Sequence, residues 1–393
     1  MSKLLILGNG FDLHCGLDSS YSHFFNYLLQ DKEFNIVYNY MHDRRTEKSE
    51  KRTNFLWALL LSYHQDKNIV LWKDIESIIA SFLYKPTSEY TINILDILGN
   101  IQKYTDDLRN YDKTMIDQGL PLTKFLWLIY RGIGLDEICE FKRTSQREVF
   151  IAIPRNKDKV IDLFYKDLNE IECKFVDYLN SIYNINPLIH VSANNAYEKL
   201  LNVVYPNDTS PEDKVSIISS AINDANILSF NYTRLGQPNG SNFSRYKNIH
   251  GTIIGKHQDI IFGIDSFDIS PLDPTFKFTK TYRIALQESK LLINPDIFEG
   301  RISLNNISEI IIYGHSLNRQ DYSYFYAIFN KCNINNSNVK LDLYYSNYDD
   351  INRAPESILR LQNLFQQYEI DFQIPKGLFH RMLLEDRVHF IKL

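Results

Sequence analysis

Leu4-Leu5-Ile6-Leu7, followed at once by Gly8-Asn9-Gly10-Phe11-Asp12, is the stretch that decides the fold. Four consecutive apolar residues read as a strand buried on both faces, the form taken by strands of a parallel sheet. A strand that stops at Gly-x-Gly leaves backbone N–H groups with no Cβ to shield them. A following helix adds its positive N-terminal end, so the turn is a candidate phosphate site. A strand starting at Lys3 leaves no room for a signal peptide, and the chain is expected to enter its core sheet directly.

Beyond this unit, Asp18-Ser19-Ser20-Tyr21 supplies N-cap residues, with Phe24, Phe25, Leu28 and Leu29 at helical spacing behind them. From Phe34 to Ala221 the hydrophobic period is helical nearly throughout. Leu56, Leu59, Leu60 and Tyr63 form one stripe, and Ile75, Ile78, Ile79, Phe82 and Leu83 a second. Residues 92–98 form a third, and Ile161, Phe164, Leu168, Ile171, Phe175 and Leu179 a fourth. Charged, turn-rich pieces at 42–52 and 141–159 separate them. In the first, acids and bases alternate and nearly cancel, which reads as a solvated loop or helix end.

After residue 221 the texture changes to short apolar runs at 226–230, 259–264, 309–313, 339–345 and 388–392. Helical stretches at 279–292, 321–331 and 355–368 lie between several of them. The pattern predicts an α/β fold: a Rossmann-like, doubly wound, mostly parallel sheet. Residues 1–30 and 221–393 are expected to build this nucleotide-binding core. Residues 31–220 form a large helical insertion after the first strand–helix unit, expected to act as a lid over the site.

Composition bounds the function classes. A chain of 393 residues suggests two or three domains, and 44% hydrophobic with 13% aromatic residues excludes wholesale disorder. A formal net charge of −5 gives no general attraction to nucleic acid or acidic lipid, although a local basic groove stays open. No apolar run approaches the ~18–20 residues of a membrane span. Cys15, Cys139, Cys173 and Cys332 lie far apart without metal-ligand spacing, and are expected to be reduced, buried and inert. The expected location is the cytoplasm.

Ligands of open parallel sheets bind outside the carboxyl ends of the strands. Three predicted strand ends are rich in polar residues and glycine: Gly8-Asn9-Gly10-Phe11-Asp12, Ser229-Phe230-Asn231-Tyr232-Thr233 and Tyr313-Gly314-His315-Ser316-Leu317. Asn248-Ile249-His250-Gly251 lies between the second and third. In a parallel sheet these pieces converge on one edge. Each also has an ordinary reading: Asp12, Ser316 and Asp321 as helix caps, Asn231 as a turn residue, His250 as a satisfied core histidine, Gly314 as a backbone crossing. The dinucleotide fingerprint G-x-G-x-x-G fails at Leu13, and there is no Walker lysine.

Gly8-Asn9-Gly10-Phe11-Asp12-Leu13 with Gly16-Leu17 and Ser20-Tyr21-Ser22-x-Phe24 resembles the opening signature of the AbiH family of bacteriophage abortive-infection proteins. Ser229 to Thr233, Ile249-His250-Gly251, Ile261 to Asp265, and Tyr313 to Leu317 with Asp321-Tyr322 resemble the family's later blocks in the same order. The motif order is similar, more distantly, to that of sirtuin-like domains, which bind NAD; their antiviral members destroy it. That resemblance implies that Gly8, Asn9 and Gly10 approach a diphosphate, and that Gly314 and Ser316 line the adenosine side. Asn231 would then hold the nicotinamide ribose or a water, and His250 would act as base. The strand end reads Ser-Phe-Asn where the distant family has Thr-Gln-Asn. Cleaving a nicotinamide–ribose bond develops oxocarbenium charge, for which Asp12 is the candidate anion. The implied partners are a small nucleotide and a phage-derived trigger, and a homo-oligomer is compatible with both.

Two other readings stand beside this one. Asp12, His14, His250, His315 and Asp321 could gather around a metal as a nuclease or phosphodiesterase site, although their spacing carries no metal signature. Alternatively the chain binds a nucleotide without turning it over and signals through its helical part.

Overall fold

The computed structural model describes residues 2–42, 56–57, 60, 75–83, 139–143, 150–154, 157–185, 192, 226–234, 246–253, 260–267, 269–289, 307–345 and 354–392. Its strands are β1 (Ser2–Leu7), β2 (Cys139–Arg143), β3 (Phe150–Pro154), β4 (Asn226–Ser229), β5 (Tyr246–Asn248), β6 (Ile307–Tyr313), β7 (Lys340–Tyr345) and β8 (Val388–Lys392). The α-helices are α1 (Asn9–His14), α2 (Tyr21–Leu28), α3 (Lys32–His42), α4 (Ile75–Leu83), α5 (Lys157–Ile185), α6 (Lys280–Ser289), α7 (Tyr322–Lys331), α8 (Ala354–Asp371) and α9 (Leu378–Leu384). The predicted stripe at 92–98 and the charged piece at 43–52, with Leu59 and Tyr63, lie outside the described residues. Among those described, no helix is long and apolar enough to cross a membrane.

Two compact units divide the chain. Met1–Ser19, Leu179–Ile261 and Ile284–Leu393 form the first; Ser20–Tyr178 and Phe262–Arg283 form the second. The first holds a six-stranded, all-parallel sheet in the order β5-β4-β1-β6-β7-β8. Counted along the chain, that order is 3-2-1-4-5-6, the winding of dinucleotide-binding sheets, with the reversal beside β1. The expected Rossmann-like α/β class is therefore what the chain adopts.

Continuous apolar strands are needed because both faces of this sheet are covered. Leu4, Ile6, Leu228, Ile310, Ile312, Leu341 and Leu343 face one layer, where Phe325 and Phe329 of α7, Leu361, Leu364 and Phe365 of α8, and Met382 of α9 meet them. Leu5, Leu7, Ile227, Ile311, Tyr313 and Tyr344 face the other, against Phe11, Cys15 and Leu17. Burying each such side chain contributes about 1.5–3 kcal/mol. The even and odd positions of β1 serve opposite cores, which is why its sequence shows no alternation.

At the centre of the sheet two backbones touch. Leu7 is in register with both Ser229 and Tyr313, so the chain leaves β1, β4 and β6 at one level. The Gly8 N–H donates to Tyr313 O at 2.9 Å and the Gly10 N–H to Gly314 O at 2.9 Å. A Cβ at Gly8 would lie 2.4 Å from the His315 Cα, and one at Gly314 would lie 2.5 Å from the Phe11 nitrogen. Gly314 also has φ +68°. The glycines are required because main chain meets main chain.

In the second unit, Trp57 packs edge to face with Phe82, Phe164 and Phe278, and the Trp57 indole N–H donates to Phe164 O at 2.8 Å. Two buried ion pairs accompany this core, Lys280–Glu76 at 2.8 Å and Arg283–Glu172 at 2.6 Å. Glu172 also accepts the Phe262 N–H at 2.6 Å. Burial raises the Glu172 carboxyl above its ordinary range, with the Arg283 charge opposing that rise.

Several expectations are corrected. Of the run at 259–264, residues 260–264 form no strand: among the described residues their ladder contact is an isolated bridge from Ile264 to Thr279. The N–H groups of Ile261 and Phe262 are taken instead by the His250 carbonyl and the Glu172 carboxylate. The middle of the chain is not wholly helical, because β2 and β3 pair as an antiparallel ribbon where a charged loop was expected. Cys173 is exposed rather than buried, since it lies between the inward positions Ile171, Glu172, Phe175 and Val176 of α5. Cys15 and Cys332 are buried, as expected.

Gly314→Ala should lower stability by at least about 2 kcal/mol, combining a left-handed backbone with a main-chain collision. Gly16→Ala, at φ +85° with open space around its Cβ, should cost only about 1 kcal/mol. Urea unfolding of both variants checks the difference. Arg283→Met, which strands the buried Glu172 carboxylate, should cost about 3–5 kcal/mol, and adding Glu172→Gln should recover part of that loss.

Candidate functional site

The C-terminal edge of the parallel sheet gathers the polar strand ends into two clusters within the first unit. The first is built on Asp12, in the opening turn of α1. The Asn231 amide donates from Nδ2 to Asp12 Oδ1 at 2.8 Å and to Gly8 O at 3.1 Å. The Thr233 hydroxyl donates to Asp12 Oδ2. Asn231 and Thr233 meet the same carboxylate from the bend that follows β4.

This network fixes the Asn231 amide. Its NH2 faces two acceptors, so its Oδ1 points away from them. That oxygen is buried and has no hydrogen-bond partner among the described residues. An unsatisfied buried acceptor costs about 1–3 kcal/mol, which a donor supplied by a ligand or solvent would recover. The turn that carries it is pinned from β5: Asn248 Nδ2 donates to Asn231 O at 2.6 Å and to Thr233 O at 2.9 Å. Asn248 Oδ1 in turn accepts from Arg234 Nε at 2.9 Å. The Arg234 guanidinium lies 5.6 Å from the centre of the Tyr246 ring.

Burial pushes the Asp12 carboxyl up to about 7, against the lowering effect of its bonds from Thr233 and Asn231. It is thus an acid that exchanges its proton near neutrality rather than a permanent anion. The same burial, with the nearby Asp12 charge, pushes the Cys15 thiol up to about 12, which keeps it protonated and inert.

The second cluster surrounds Asp321. Its carboxylate reaches the His250 ring from Oδ1, 3.2 Å from Nε2, and the His315 ring from Oδ2, 3.4 Å from Nε2. The His250 approach is that of an ion pair rather than an aligned hydrogen bond. Asp321 stands at the N-cap position of α7, yet its side chain makes no capping bond. The Leu317 N–H donates to His315 Nδ1 at 2.9 Å, and Leu317 takes φ 51° there. Such a backbone costs a non-glycine residue about 1–2 kcal/mol. Phe230 packs on both imidazoles, with ring centres 5.3 Å from His250 and 4.2 Å from His315.

Of the sequence-predicted residues, Asp12 and Asn231 are therefore in direct contact, while His250 is paired with Asp321. Gly8, Gly10 and Gly314 meet one another through the main chain, and three of their polar groups are already used there. The Gly8 and Gly10 N–H groups are thus spent on carbonyls, and α1 is a short helix of 6 residues. Asn9 is exposed and accepts from the Ser19 hydroxyl at 2.6 Å. Ser316 is also exposed, and its carbonyl accepts from Arg360 at 2.7 Å. Among the described residues, no group of three or more His, Cys, Asp or Glu side chains is disposed to hold a metal ion.

Sequence reasoning gave no role to Thr233, Asn248 or Arg234, and treated Asp321 as a cap or a metal ligand. Thr233 was visible as the second polar residue after β4. Asn248 was hidden because β5 spans only 3 residues, too short for a periodic signal.

No curated protein and no solved structure matches this chain. A family model does, and it spans most of the chain, including the ends of β1, β4, β5 and β6. Residues 4–343 match the family described as bacteriophage abortive infection AbiH, and the chain belongs to that family, whose role is antiviral abortive infection in bacteria.

Proposed function

We propose that this protein is the hydrolytic arm of that defence, cleaving NAD or a related nucleotide at the nicotinamide–ribose bond in a sirtuin-like manner. The observation that carries the reading is the contact between Asp12 and Asn231, 219 residues apart in sequence, at the reversal point of a 3-2-1-4-5-6 sheet. The partnerless Asn231 Oδ1 suits a ribose hydroxyl or an attacking water. In its ionised form Asp12 stabilises positive charge on the ribose as the bond to the nicotinamide nitrogen breaks. The electron pair leaves with nicotinamide, the water oxygen bonds to the sugar carbon, and the water proton passes to His250.

Gly8, Gly10 and Gly314 serve this reading through close main-chain approach. Because the Gly8 and Gly10 N–H groups are already donated, the charge for a diphosphate falls to Arg234, held by Asn248 beside the acid cluster. Asn9 and Ser316, both exposed on the same edge, complete the wall.

Purified protein incubated with NAD should release nicotinamide once the defence trigger is supplied. Asn231→Ala should reduce the rate on the order of 10²-fold or more, and Arg234→Ala should raise KM more than it lowers kcat. Tight NAD binding without turnover would favour the nucleotide-sensing alternative; neither binding nor turnover would falsify the nucleotide reading.

The Asp12 proton gives a second test. The folded-state value of about 7 lies above the ordinary 3.8, so the associated stability is fully present below about 4 and is lost as the pH rises through 7. Wild-type protein should therefore lose on the order of a few kcal/mol between pH 4 and pH 8 from this group. Asp12→Asn should flatten that part of the profile, while abolishing nicotinamide release.

A further inference from the structure

We propose that Thr233 is a positioning residue for Asp12: its hydroxyl follows the carboxyl through both protonation states at Oδ2, so the acid gains or loses its proton without moving Asn231. The consequence for turnover rests on the reading of Asp12 as the anion of the site. The Asn231 amide is already committed, because its two N–H bonds reach Asp12 Oδ1 at 2.8 Å and Gly8 O at 3.1 Å. Gly8 O is a carbonyl and can only accept, so turning the amide over would set oxygen against oxygen. A proton on Asp12 Oδ1 would point at the Asn231 NH2, donor against donor. The proton of neutral Asp12 therefore belongs on Oδ2.

Oδ2 meets the Thr233 hydroxyl. A hydroxyl both donates and accepts, and its hydrogen rotates to suit. It donates to the carboxylate and accepts from the neutral acid. The Asn248 amide holds the carbonyls of Asn231 and Thr233 at 2.6 and 2.9 Å, so the main chain stays in place while the hydroxyl turns. Among the described residues, Asp12 is the acceptor that this hydroxyl meets. On protonation of Asp12 the hydroxyl hydrogen must leave that acceptor, so the pair favours the ionised carboxylate. Burial works the other way, and the Thr233 bond is the larger of the two bonds that oppose it. Around the cluster, burial and the Asp12 charge raise both the Cys15 thiol and the Tyr183 phenol, which stay neutral near pH 7. The Tyr246 hydroxyl lies 3.5 Å from the Thr233 carbonyl. The Arg234 guanidinium is turned to Asn248, and His14 is exposed with its ring against Tyr313.

The full-length chain labelled with 13C at the aspartate carboxyl tests this by NMR across pH, with Asp12 assigned from the signal lost in Asp12→Asn. Thr233→Val, which keeps the shape and removes the hydroxyl, should raise the Asp12 midpoint by about one unit or more. Thr233→Ser, which keeps the hydroxyl, should titrate close to wild type. In the wild type the two Nδ2–H signals of Asn231 should persist with slow solvent exchange on both sides of the Asp12 midpoint. The pH–rate profile for nicotinamide release should move with the carboxyl, so Thr233→Val loses about fivefold in kcat at pH 7 with KM little changed. An unmoved Asp12 midpoint in folded Thr233→Val overturns the proposal, as does a shift in Thr233→Ser as large as that in Thr233→Val. Loss of the Asn231 signals as Asp12 ionises overturns it even if no variant folds. Absence of nicotinamide release in the wild type counts against the NAD reading alone, because the carboxyl titration still decides the role of Thr233.

Discussion

The main-chain contact between the β1–α1 turn and the end of β6 is the constraint on which the sheet edge depends. Two N–H groups, from Gly8 and Gly10, close onto the carbonyls of Tyr313 and Gly314. Backbones can approach this closely only if neither side carries a Cβ. Once they do, the chain on each side must leave in a set direction. Phe11 and Asp12 turn toward β4, and His315 turns toward Asp321. Both polar clusters thus inherit their positions from a contact in which no functional side chain takes part.

Most of the fold was legible in the sequence because a parallel sheet demands long apolar strands with conspicuous ends. β1, β6, β7 and β8, with helices α4, α5, α7 and α8, follow directly from hydrophobic period. The failures are equally physical. The 259–264 run has the composition of a strand, but its N–H donors are satisfied by a carbonyl and a buried glutamate, which period cannot reveal. β5 is too short to show a pattern, and α9 opens at Gly377, whose left-handed backbone gives no capping side chain to read.

For the candidate site, the sequence showed which strand ends are polar but not which side chains meet. Polar residues at the ends of apolar strands marked Asp12, Asn231 and His250, and the strand register carries them to one edge. Their pairing is a matter of three-dimensional packing. Asn231 reaches Asp12 because Gly8 brings α1 across the end of β1, and His250 reaches Asp321 because α7 starts where β6 has turned past Leu317. The Gly-x-Gly turn illustrates the limit: its composition announces free N–H groups, whereas the fold uses them internally.

The pairing of β1 with strands far along the chain also governs when the site comes into being. Leu7 pairs with Ser229 and with Tyr313, and the ribosome must add everything between before each ladder closes, about 11–44 s for the first and about 15–60 s for the second at 5–20 residues per second. Until β6 emerges, Gly8 and Gly10 have no carbonyls to bind, and neither cluster can assemble. High contact order of this kind slows folding. Chains whose synthesis stops before β6 therefore lack this edge altogether.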